Sequence, residues 1–198
     1  MHAASAETTP KARSGHATRA RILEAANDLF YADGIRATSA DRIIERVGIT
    51  KVTFYRHFRT KSDLVVAYLE GQAAAERAWM QSMRVSGDPA STLASIAAGI
   101  GGASCSHGFR GCAFINAAAE FSDPDDPVRA AVESHRNWML GEFAAIAAEA
   151  GSADPAQTGR QLMILRDGAM VNGYLGDASS LAASLAAAFG SVIGALAA

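Results

Sequence analysis

Residues 42–61 read RIIERVGITKVTFYRHFRTK and hold six Lys or Arg against a single Glu, in a 198-residue chain whose formal charge is −2. Phe54, Tyr55, His57 and Phe58 are interleaved with that positive charge. Ile43, Ile44 and Val47 share one face of a short helix, and Gly48 permits the turn that ends it. Thr50 can cap a following helix, Lys51 to Phe58, because its side-chain oxygen can accept from amides two or three residues on. Two short helices joined by a tight turn form a helix-turn-helix pattern, whose second helix fits the major groove of a nucleic-acid duplex.

The flanks extend this unit. From Thr18 to Ala32, Ile22, Ala25, Leu29 and Phe30 recur at helical spacing, and Gly34 can close that helix in a left-handed cap. Thr38, three residues before Asp41, predicts a capping box at the start of the next helix. Thr60 with Asp63 repeats the arrangement and opens a longer helix toward Met83. The N-terminal stretch MHAASAETTPKARSGHATR lacks the apolar segment of a signal peptide and reads as a disordered arm over residues 1–17. Residues 18–62 then form the helix-turn-helix domain and residues 63–198 a second domain. Charge separates the same way, +3 over residues 1–70 and −5 over residues 71–198, so two parts with different partners are expected.

The chemistry of the charged stretch suits a duplex. Arg42, Lys51, Arg56, Arg59 and Lys61 can neutralise phosphates, while Thr53, Tyr55 and His57 can donate to phosphate oxygens. Lys51 and Arg56 can also reach guanine edges, and the apolar Val52 a thymine methyl. With Thr38 and Thr50, the candidate contacts are Thr38, Arg42, Thr50, Lys51, Val52, Thr53, Tyr55, Arg56, His57 and Lys61. Residues 34–64 in particular, GIRATSADRIIERVGITKVTFYRHFRTKSDL, resemble the DNA-binding signature of tetracycline-repressor (TetR) family regulators. The shared features are Gly34-x-x-Ala37-Thr38, Gly48-Ile49-Thr50 and Tyr55-x-His57-Phe58-x-x-Lys61. That resemblance implies DNA contacts at Lys51, Val52, Thr53, Tyr55, Arg56, His57 and Lys61, with Phe54 and Phe58 packed inward. Position 52 is often small in the family, so Val52 is a departure.

The remaining sequence is also helical. Hydrophobic residues make up 49% of the chain and Pro is scarce, which favours an all-α fold of about nine helices without strands. Asp88-Pro89, Asp126-Pro127 and Asp154-Pro155 each place an N-cap before a Pro at the first helical position. GIGGASCSHGFRG, residues 99–111, reads as a Gly-rich loop, and a last helix begins near Ser179. In the helix from Pro127, residues Val128, Val132, His135, Met139, Phe143 and Ile146 form one stripe. Trp79, Phe114, Asn116, Phe121, His135, Trp138, Met139, Phe143, Met163 and Met170 supply the mixture expected of a pocket for a small apolar or amphipathic effector. The segment 109–138 also resembles the effector domain of one TetR subgroup. The resemblance implies a homodimer paired through the last two helices, acting as a repressor on a palindromic double-stranded operator and released by that effector.

Other classes are less well supported by the residues. No nucleophile elbow, dinucleotide loop or acid–base constellation can be assembled, so neither an enzyme nor a bound cofactor is expected. Cys105, His107 and Cys112 fall short of a zinc pattern, so no metal is expected, although Cys105 and Cys112 leave open a redox or electrophile-sensing regulator. The Ala-rich C-terminus, without flanking basic anchors, reads as a buried helix and not a membrane span. Two closely spaced cysteines suit a reducing cytoplasm.

Overall fold

The computed structural model describes residues 10–176 and 178–195. Nine α-helices and one 3-10 turn account for the regular structure, with no strand among the described residues. No helix among them is long and apolar enough to cross a membrane. The chain divides into two compact units, Met1–Tyr68 and Leu69–Ala198.

The first unit holds α1 (Pro10–Asp33), α2 (Ala40–Val47), α3 (Lys51–His57) and the start of α4 (Lys61–Ser82). Pro10 stands at the start of α1, where the missing N–H is harmless, so the helix takes in residues that composition assigned to a disordered arm. Residues 1–9 of that arm lie outside the described residues. Gly34 follows α1 at φ 95°, the left-handed conformation a glycine adopts without strain. Ile22, Leu29, Phe30, Ile43, Val47, Phe54 and Phe58 are buried together with Leu64, Val65 and Tyr68 of α4. The Phe30 and Tyr68 rings meet edge to face with centroids 5.6 Å apart. The first unit runs to Tyr68 and so includes these residues of α4.

The second unit holds the rest of α4 with α5 (Pro89–Ser104), α6 (Ala113–Glu120), α7 (Pro127–Glu149), α8 (Pro155–Leu175) and α9 (Leu181–Gly194), the last preceded by the 3-10 turn Ala178–Ser180. Asp88, Asp126 and Asp154 accept from the backbone amides of Ser91, Val128 and Gln157, so all three expected caps are made. The core packs Leu93 and Ile96 of α5 against Met139, Phe143 and Ile146 of α7, Leu162 of α8 and Phe189 of α9. The Gly-rich stretch corrects the sequence reading, because Gly99 to Ser104 belong to α5 and only the residues after them form a loop. Gly99 and Gly101 serve close packing. A Cβ on Gly101 would stand 2.5 Å from Ala182 Cβ in α9, and one on Gly99 would stand 2.7 Å from the Trp79 ring.

Candidate nucleic-acid interface

Local chemistry fixes the α2-turn-α3 unit. Ser39 caps α2 by accepting from Arg42 N at 3.2 Å, and Gly48 at φ 70° returns its N–H to Ile44 and Glu45. Thr50 caps α3 by accepting from Thr53 N at 3.2 Å, and the two hydroxyls lie 3.0 Å apart. Phe58 is the C-cap of α3, one residue beyond the helix itself. Thr60 Oγ1 accepts from Asp63 N while Asp63 Oδ2 accepts from Thr60 N, both at 3.0 Å, a reciprocal capping box at the start of α4. Phe54 is fully buried and touches both Tyr55 and Phe58, which turns the opposite face of α3 outward. On that face Val52 is 71% exposed and Tyr55 48% exposed, with Lys51 and Arg56 also exposed.

Thr38 is a correction. It is fully buried, and its hydroxyl donates to Leu29 O at 3.2 Å and Gly34 O at 2.9 Å. The helix cap passes to Ser39, and Thr38 ties the end of α1 to the start of α2 without reaching the surface. Thr53 and His57 are half-buried beside the exposed row. Lys61 Nζ reaches Arg36 O at 3.5 Å.

The cations fall into two groups. Arg42 pairs with Asp33 at 2.8 Å, Arg46 with Asp28 at 2.8 Å, and Lys51 with Asp41 at 2.9 Å. Asp41, by its hydrogen bond and then its charge, holds the Lys51 ammonium pKa above the ordinary lysine value. Arg56 and Arg59 make no ion pair among the described residues. Arg19 lies over the Phe58 ring, 5.0 Å from its centroid, at the C-terminal end of α3. Sequence spacing gave no indication of this partition, because each acidic partner comes from another helix.

Residues 22–68 match the family model described as bacterial regulatory proteins, tetR family. The crystal structure of SCO4454, a TetR-family transcriptional regulator from Streptomyces coelicolor, superposes with TM-score 0.87 at 38% identity, over 91% of this chain and 96% of that one. This chain belongs to the TetR family. A curated relative, the HTH-type transcriptional regulator TtgR of Pseudomonas putida, is 43% identical over 53 residues, 27% of this chain and 25% of its own length. The chain therefore aligns with about a quarter of that relative's length. The reduced form of Escherichia coli NemR shares the fold at TM-score 0.79 and 19% identity, over 89% of this chain and 98% of that one.

In the second unit of this TetR-family chain, the proposed effector residues separate by depth. Met139, Phe143 and Met163 are packed into the core, with Trp79 and Met170 half-buried against it. Asn116 Nδ2 donates to Arg110 O at 2.9 Å, and Phe121 caps the C-terminus of α6. Phe114, His135 and Trp138 do converge: Phe114 stacks on His135 with centroids 3.6 Å apart, and Trp138 lies 5.4 Å from the same imidazole. Sequence reading missed the charged residues beside them. Glu76 on α4 accepts from Arg166 on α8, its Oε2 stands 2.9 Å from His135 Nε2, and Arg166 itself is only 4% exposed. Burial pushes the Glu76 carboxyl up, but His135 and Arg166 outweigh it and hold the pKa below the usual carboxylate range. Burial likewise opposes the Arg166 cation, and Cys112, Glu76 and Asp167 more than offset it. Cys112 is buried at the N-terminus of α6, while Cys105 is exposed and lies 3.7 Å from Ala178 O.

Proposed function

We propose that this chain is a cytoplasmic, dimeric repressor, not an enzyme, which binds a palindromic operator through α3 and leaves it when a small effector binds the second unit. The observation that carries the reading is α3 itself: Phe54 locks it inward while Val52, Tyr55 and Arg56 stand exposed along a helix whose two ends are both capped. In this reading Arg56, Arg59, His57 and Tyr55 hold phosphates, Lys51 and Val52 read base edges, and Arg42 and Lys61 support the contact from α2 and α4.

Dimerisation through α8 and α9 is supported by apolar exposure. Ile164 is 71% exposed, Val171 45% and Leu175 74%, all on α8, and a groove between α8 and α9 is lined by Leu165, Ala169 and Leu185. Burying such a patch against a second copy removes it from water and relates two α3 helices by one two-fold axis. Phe114, His135 and Trp138 mark the effector side of the second unit.

Fluorescence anisotropy with the duplex upstream of the protein's own gene, against a scrambled duplex of equal length, tests the reading. Saturable binding with a preference of about 10³ or more is expected. Equal affinity for both duplexes would refute it. Ile164→Glu is expected to shift the protein toward monomer in sedimentation and to weaken operator binding with it.

A further inference from the structure

We infer that the effector of this regulator is a small, flat, neutral molecule carrying a hydroxyl or N–H donor, and that His135 Nδ1 is the atom that accepts from it. The inference rests on the effector-responsive reading above and names the chemistry of that site.

Three helices of the second unit bring polar atoms into its interior, and a fourth brings an aromatic ring. Glu76 comes from α4, Phe114 from α6, His135 from α7 and Arg166 from α8. Arg166 donates to Glu76 and, at 3.1 Å, to Asp167, which accepts in turn from Arg136 at 2.8 Å. Two carboxylates thus face two guanidiniums, and these four charges balance among themselves. An anionic ligand would face Glu76 and Asp167 in the interior, and the exposed Arg77 beside Trp138 lies outside this balance.

His135 has the unused hydrogen-bonding capacity. It is 2% exposed, and its Nδ1 has no hydrogen-bond partner among the described residues. Nε2 stands 2.9 Å from Glu76 Oε2. A nitrogen facing a carboxylate keeps its proton, so in the neutral imidazole Nδ1 is left as an acceptor. Leaving a buried acceptor unpaired is unfavourable, and a ligand donor removes that cost.

The surroundings select shape. Phe114 lies nearly parallel to the imidazole, at 10°, and Trp138 is tilted beside it at 38°. Trp138 is half-buried, with the exposed Arg77 guanidinium 5.3 Å from its ring centroid. A ligand reaching the buried imidazole along this side must displace these two side chains. A planar ring entering there meets aromatic surface with its donor at Nδ1.

Phenol, benzoate and benzene separate the possibilities, since they share a ring and differ in donor and charge. The full-length protein with ¹⁵N-labelled histidine is titrated with each at millimolar concentration, and the assigned His135 ring nitrogens are followed by NMR. Phenol is expected to shift Nδ1 in the direction of an accepted hydrogen bond and to bind about tenfold or more tightly than benzene or benzoate. His135→Phe, which keeps a stacking ring, is expected to lose that preference while circular dichroism stays unchanged. Benzoate binding as well as phenol, a proton already on Nδ1 in the free protein, or no response to any probe would each overturn the assignment. The wild-type spectra decide even if the variant fails to fold. Operator binding measured in parallel keeps the two readings apart. Probe failure with intact operator binding removes the ligand site alone, and phenol binding without operator release removes only the effector role.

Discussion

Asp41→Asn gives the sharpest test of how the interface uses its charge. In the free protein Asp41 grips Lys51, the first residue of α3, with its two oxygens 2.9 and 3.1 Å from Nζ, and both side chains are exposed. A lysine held this way shares its charge with a carboxylate and adds little to phosphate neutralisation, while in the proposed reading the carboxylate itself stands where a duplex brings further negative charge. The amide keeps the size of the side chain and removes both effects. Each additional phosphate neutralised steepens the dependence of log K on log salt by about 0.9, which over a fourfold change in salt is a factor of about 3.5 in affinity. On random duplex, Asp41→Asn is therefore expected to steepen the slope by roughly 0.9 and to raise affinity at low salt. On the operator the gain is smaller, because Lys51 loses the partner that aims it, so the specificity ratio falls. Anisotropy titrations on both duplexes across that fourfold salt range measure both quantities. An unchanged slope, or equal gains on operator and random DNA, would refute the reasoning. Repeating the substitution in a Lys51→Met background should abolish most of the effect.

Thr38→Val keeps the shape of a buried residue but strands the carbonyls of Leu29 and Gly34, so urea unfolding should show a loss of about 1–3 kcal/mol, with the salt slope of DNA binding unchanged. Gly101→Val forces side-chain atoms into Ala182 and should cost about 1–3 kcal/mol, whereas Gly102→Ala, whose new Cβ meets nothing within 4 Å, should be neutral or stabilising in the same assay. The Glu76 pKa is depressed in the folded state, so its contribution is present above the unfolded value near 4.5 and is lost as pH falls through the folded value. Glu76→Gln should flatten that acid limb of thermal stability and cost about 3 kcal/mol at neutral pH, by leaving Arg166 with a weaker partner. Gly71 lies exposed within α4, and a Cβ there meets nothing within 4 Å, so Gly71→Ala should raise stability by about 0.5–1 kcal/mol in denaturant titrations.

What could be read from sequence was what local chemistry decides. A cap is a matter of a side chain and the amides within three residues of it, so Thr50, Asp88, Asp126, Asp154 and the Thr60–Asp63 box were all legible, as was the Gly48 turn. Helical periodicity likewise marked Val128 to Ile146 as one buried stripe. Features that depend on distant partners were not legible. Thr38 and Ser39 are both good caps by composition, and only the carbonyl of Leu29, brought close by the fold, assigns one inward and the other to α2. Glycine spacing cannot tell a loop from a close helix contact, and Ala182 on α9 decides the matter for Gly101. The Lys51–Asp41 pair and the Glu76–Arg166 pair join different helices, so neither has a sequence period to betray it.

The Glu76–Arg166–His135 group presents a further physical argument. Burying an ion pair costs desolvation that an apolar set of equal volume avoids, and such replacements are often stabilising. The adjoining core of the same unit is built that way, from Leu93, Ile96, Met139, Phe143 and Leu162. Stability alone therefore gives no reason for charge at this point. A site that must change state does supply one, since a buried charged group has discrete arrangements of partners where an apolar core merely fills space. In the effector-responsive reading proposed above, a ligand that alters what His135 offers Glu76 changes which of these arrangements is favoured. The coupling it transmits is limited to its differential affinity for the two arrangements.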